Sequence, residues 1–77
     1  MKKKDEAFRY GLRLLRNNKN ISARSLSMSV NLSESYVSKV EGGTLAPSAE
    51  AFYKIVSALG ASDKEIILLL KLLGENN

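Results

Sequence analysis

Glu34, Ser35, Tyr36, Ser38 and Lys39 place five hydrogen-bonding side chains within six residues, interrupted only by Val37. At about 100° per residue, Val37 and Val40 share one face of a helix. Ser35, Ser38 and Lys39 point directly away from it, and Glu34 and Tyr36 lie on the flanks. An acceptor-only carboxylate, hydroxyls that donate or accept and an ammonium donor form a surface suited to recognition. Catalysis fits poorly. The chain has no His and no Cys, which removes the usual general base, the thiolate nucleophile and the commonest metal ligands. It has no Gly-rich phosphate loop. The carboxylates are scattered, and Asp5, Glu6, Asp63 and Glu65 read as charges at helix N-termini. The expectation is a non-enzyme without cofactor or metal, and with no room for a small-molecule pocket.

These side chains must be positioned by a small body. At 77 residues the chain is expected to form one domain, spanning 1–77. A domain of this size buries only about 60% of its unfolded surface, so every element must share one core. With 44% hydrophobic and 26% charged residues, it has the composition of an ordered soluble domain. The net charge of +4 is unevenly spread. Residues 1–39 carry nine Lys/Arg against three Asp/Glu, and residues 40–77 carry three against five. A basic half opposite an acidic half suggests a polyanionic partner on one side. Lys2, Lys3 and Lys4 sit in an N-terminal tail (1–4) that reads equally well as merely solvated, but the asymmetry survives without them. The residues after them are polar, so no signal peptide is expected. The longest apolar stretch, residues 66–73, is broken by Lys71 and falls short of the roughly 20 residues a bilayer span needs. A cytoplasmic location without membrane contact is the expectation.

One pattern recurs along the chain. A serine follows an apolar or rigid residue, and another apolar residue lies four positions on: Ser22 with Leu26, Ser33 with Val37, Ser48 with Phe52, Ser62 with Ile66. Each serine can cap a helix, and Glu65 completes a capping box with Ser62. Together with a first helix carrying Phe8, Leu12 and Leu15, this predicts five helices, at about 5–18, 23–30, 34–41, 49–59 and 63–73, and a C-terminal tail at 74–77. Nothing alternates as a strand would. The predicted fold is all-α, a compact five-helix domain.

Only Asn31, Leu32 and the cap Ser33 separate the second helix from the third. So short a turn calls for a residue at positive φ, and Asn31 tolerates it best. Two short helices so joined make a helix-turn-helix. Glu41 falls beside the core face, where a lone carboxylate is costly, and Arg16 is the cation chosen to pair with it. Such a structural ion pair would cost about 3–5 kcal/mol if one partner were removed.

From Leu12 to Ser62 the sequence resembles the Cro/Xre-type, lambda-repressor-like helix-turn-helix domains. The resemblance is carried, without a gap, by "LRLLRNNKNIS", "LSMSVNLSESYVSKVEGG" and "PSAEAFYKIVSALGAS". It covers about two thirds of the chain, and "SYVSKVE" is especially close to the family's recognition helix. Family members also have Arg and Glu at the positions of Arg16 and Glu41. The chain departs from the family at Ala23, where Gln is common, at Ser27, where Ala is usual, and at Asn31, where Gly is usual. The loop after the third helix, "GGTLAPS", lacks the family's frequent basic residues. The missing Gln and loop cations imply weaker phosphate binding.

The resemblance implies a sequence-specific regulator of transcription, most simply a repressor, that places its third helix in the major groove of double-stranded DNA. Glu34, Ser35, Tyr36 and Lys39 become the base-reading candidates. Glu34 can accept from a cytosine amino group, Ser35 can donate or accept, Lys39 can reach guanine or a phosphate, and Tyr36 can touch a thymine methyl or support the helix flank. Ser22, Arg24, Ser33, Ser38 and backbone N–H groups around Thr44 become the phosphate candidates. Arg9 and Arg13 form a basic strip that a solvated helix face explains as well. In the fifth helix Ile66, Leu69, Leu70 and Leu73 make a core arc, leaving Leu68 and Leu72 for a homodimer on a palindromic operator, unless the tail or a bend buries them. The uncharged loop, Ala23 and those leucines also fit a second reading: a protein-interaction module, of antitoxin or anti-repressor type, that retains the fold.

Overall fold

Serine caps and left-handed turns divide the chain into its elements. The computed structural model describes residues 3–74, and side chains from 6 to 73. Its helices are α1 (Lys3–Asn18), α2 (Ala23–Ser29), α3 (Tyr36–Glu41), α4 (Ala49–Ala58) and α5 (Asp63–Gly74), with no strand among the described residues. The all-α, five-helix architecture is therefore present. Ser22 Oγ accepts from the Ser25 N–H at 3.0 Å, and Ser48 Oγ from the Ala51 N–H at 3.1 Å. Ser62 and Glu65 close a reciprocal capping box at 3.2 and 2.8 Å. The Ser62 N–H and hydroxyl hold the Glu65 carboxyl below its ordinary value.

Four helices end alike, α1 being followed by Asn20 at φ 57°. Asn31 (φ 60°), Gly43 (φ 82°) and Gly60 (φ 66°) follow α2, α3 and α4 in the left-handed region. After α2, the Asn31 N–H donates to the Met28 carbonyl at 3.1 Å and the Leu32 N–H to the Ser27 carbonyl at 3.0 Å. This Schellman arrangement satisfies carbonyls that the helix end would otherwise leave open. It also aims Leu32 at the core, against which it packs.

The core joins Phe8, Leu12 and Leu15 of α1, Leu26 of α2, Val37 and Val40 of α3, Phe52, Ile55 and Val56 of α4, then Leu59 and Leu69. The Phe8 and Phe52 rings meet with centroids 6.0 Å apart. α1 lies along α5 and also touches α3, while α2 packs on α3 and α4. Gly11 permits the close approach of α1 to α5: a Cβ there would lie 3.2 Å from Leu69 Cδ2. No described helix is long and apolar enough to cross a membrane.

Several expected boundaries move. α1 starts at Lys3 rather than residue 5, because nothing before Asp5 breaks a helix and lysine is a good helix former. Lys3 and Lys4 therefore belong to α1 rather than to a tail. Lys2 and the side chains of Lys3 and Lys4 lie outside the described residues, as do residues 75–77 of the expected C-terminal tail. α3 starts at Tyr36, two residues later than predicted, and Ser33 does not cap it through its side chain. The Tyr36 N–H instead closes a four-residue turn onto the Ser33 carbonyl at 3.0 Å, leaving Glu34 and Ser35 in the turn. In α5 the apolar arc is rotated from the predicted one. Leu70 is exposed, and Leu72 packs against the core with Ile66 and Leu73. The packing on α1 centres the arc on Leu69, which leaves Leu68 and Leu70 on opposite shoulders.

Candidate nucleic-acid interface

The α2–α3 corner begins with a buried serine. Ser27 is fully buried; its Oγ donates to the Ala23 carbonyl at 2.8 Å and accepts from the Val37 N–H at 3.0 Å. The second bond caps α3 from α2, replacing the local cap that Ser33 does not supply. A buried hydroxyl must find partners, and Ser27 finds one in each helix. Its small size was legible in the sequence; its polarity was the signal for this second role.

A second clamp holds the far end of α3. Arg16 Nε donates to Glu41 Oε2 at 2.7 Å, and Nη2 to Oε1 at 2.9 Å. Arg16 Nη1 also donates to the Ile21 carbonyl at 2.9 Å, ahead of α2. The Glu41 side chain is 5% exposed and that of Arg16 is 14%. A fork-to-fork pair fixes direction as well as distance. One guanidinium thus joins the end of α1, the approach to α2 and the end of α3. Its hydrogen bond to Glu41 raises the Arg16 pKa further, against the opposing effect of burial. Arg13 Nε stands 3.5 Å from Glu41 Oε1 at the edge of the same pair.

With both ends held, α3 buries Val37 and Val40 and exposes Ser38 and Lys39. Tyr36 is half-buried against the core, and Ser35 is half-buried at the start of the helix. Glu34 is exposed in the turn ahead of α3 and is not on the helix. Arg24 Nε and Nη2 both reach Glu34 Oε2, each at 3.2 Å. This contact crosses the turn between residues ten apart, and no short-range spacing rule indicates it.

Ser22, Arg24 and Ser33 are exposed on the same corner, with the Ser22 hydroxyl used as the α2 cap. Around Thr44 the expected backbone donors are occupied. The N–H groups of Gly42, Gly43, Thr44 and Leu45 donate to the carbonyls of Ser38, Val40, Lys39 and Lys39. The left-handed closure at Gly43 turns them inward, so only the Thr44 hydroxyl remains for an outside partner. Arg9 and Arg13 turn toward the α3 end. A Cβ on Gly43 would meet the Arg9 guanidinium at 3.0 Å, and both arginines line an open concavity of about 460 Å³ with Glu6, Tyr10 and Glu41.

Leu68 and Leu72 are on a different surface. Leu68 is 59% exposed and Leu72 is partly buried. Both line a shallow groove of about 180 Å³ between α1 and α5, with Gly11, Leu14 and Leu69. Tyr10, Leu14, Ile67 and Leu70 are also exposed on these two helices.

A family model described as a helix-turn-helix domain matches residues 10–69, which takes in all of α2, α3 and α4. No curated protein and no solved structure matches the chain.

Proposed function

The chain belongs to a family of Cro/Xre-like helix-turn-helix domains, and from that premise we propose that it is a sequence-specific repressor that inserts α3 into the major groove of double-stranded DNA. The observation that carries this reading is the division of α3, with Val37 and Val40 buried and Ser38 and Lys39 exposed. The helix is pinned at one end by Ser27 and at the other by Arg16. A major groove about 12 Å wide accepts such a helix edge-on, and its base edges display a distinct donor and acceptor pattern for each pair.

In this reading Lys39 and Ser35 meet base edges, Tyr36 supports the helix flank and reaches a thymine methyl, and Glu34 reaches a base from the preceding turn. Ser22, Ser33, Ser38 and the Thr44 hydroxyl, with Arg24, lie on the phosphate side. The protein acts in the cytoplasm, as a homodimer on a palindromic operator. The apolar groove edge formed by Leu68 and Leu14 supports that assembly, with Leu72 also lining the groove. The body measures 29 × 26 × 21 Å, which suits two copies side by side on half-sites about 34–36 Å apart.

Selection of bound fragments from random duplex DNA tests the reading and reports half-site spacing directly. Binding should weaken steeply with salt, because several phosphates are neutralised. The same exposed apolar edge also favours a second reading, a protein-interaction module with the same fold. Duplex binding that is absent, or flat against salt, would select that reading instead.

A further inference from the structure

The Arg24–Glu34 contact has a geometry that simple surface pairing does not require. Arg24 Nε donates to Glu34 Oε2 and Nη2 stands 3.2 Å from the same oxygen, while no hydrogen bond to Oε1 is found among the described residues. The two side chains are 69% and 63% exposed, so the Glu34 carboxylate is open to an outside partner. Glu34 sits in a turn, not on the helix, and its side chain would otherwise be free to rotate. Ala23 ends at Cβ and cannot brace it, whereas Arg24, one residue further along α2, reaches it.

We infer that Arg24 is a positioning residue that makes Glu34 a reader of cytosine. This rests on the DNA-binding reading and takes Arg24 from its phosphate side. A lone carboxylate brought to DNA is repelled by the phosphates, but paired with Arg24 it carries no net charge. The remaining oxygen is acceptor-only and fixed in direction. Among major-groove base edges it is satisfied by the cytosine N4 amino group, whereas adenine sets an N7 acceptor beside its amino donor. An exposed pair of this kind adds little to folding, so its effect falls on binding.

The test uses the full chain and a duplex selected from random sequence, with all four bases placed in turn at each half-site position. Wild type should prefer cytosine at one position by about tenfold, the scale of one good base contact. Glu34→Gln should move that preference toward adenine. Arg24→Met should bring it within about twofold of parity while the other positions keep theirs, and it should add nothing at that position to Glu34→Gln. Thermal midpoints should stay together across the set. Arg24→Lys, which keeps the charge without the fork, should recover only part of the preference. If Arg24→Met keeps the cytosine preference, loses affinity evenly and lowers the salt slope by about one, Arg24 is a phosphate contact and the inference is wrong. If wild type shows no salt-dependent duplex binding, both the inference and the DNA-binding reading fall, a result distinct from the first because there wild type still binds.

Discussion

The α2–α3 corner and the α1–α5 face are built on opposite terms. At the corner, hydrogen bonds from Ser27, Arg16 and the Asn31 turn fix a six-residue helix at both ends. At the α1–α5 face two longer helices meet through Gly11 and Leu69 and leave Leu14, Leu68 and Leu70 in the open. The first surface is specified in direction and carries charge. The second is defined by apolar area and tolerates a partner of any matching shape. Directional bonding suits reading a pattern of donors and acceptors, and apolar area suits association of like with like. In the proposed reading, the face that recognises DNA is thus separate from the face that pairs two copies.

That contrast can be broken or sharpened by substitution. The largest effect should come from Arg16→Met, which removes the bidentate partner of buried Glu41 and leaves only the half-exposed Arg13 at 3.5 Å. Urea unfolding should show a loss of about 3–5 kcal/mol, and a much smaller loss would mean the clamp is not what holds α3. Lys39→Ala should leave unfolding unchanged and weaken duplex binding by about 1–3 kcal/mol, with preference relaxed at one base if Lys39 reads guanine. Ser27→Ala should cost about 1–3 kcal/mol of stability, since the buried Val37 N–H loses its acceptor. Leu68→Glu should shift unfolding by no more than about 0.5 kcal/mol, yet sedimentation should report monomer and cooperative operator binding should fade. The smallest effect belongs to Glu65. Its carboxyl is held low in the folded state, so its capping contribution is present at neutral pH and is lost as pH falls through that lowered value. Glu65→Gln should remove this acid-side dependence in a pH series of melting temperatures.

The same contrast governs how much was legible in the sequence. Local chemistry could be read directly. Ser22, Ser48 and Ser62 cap their helices through contacts three residues away, and Asn31 lies where a left-handed residue was needed. Contacts set by tertiary placement could not. Ser33 matched the cap pattern, but the turn ahead of α3 closed onto its carbonyl and Ser27 supplied the side-chain acceptor from α2. The exchange of Leu70 for Leu72 in the α5 arc depends on where Gly11 lets α1 press, which helical period alone does not give. The Arg24–Glu34 pair spans ten residues across a turn, outside any i,i+3 or i,i+4 rule.

Because the first buried amide of α3 is held by a hydroxyl on α2, α3 has no independent existence. At six residues it is far below the length at which an isolated helix persists in water. Forming it and seating it on its neighbour are one event. Deuterium uptake at the Val37 amide should therefore report the undocking of α2, and a ligand gripping either helix should slow the isotope clock of both.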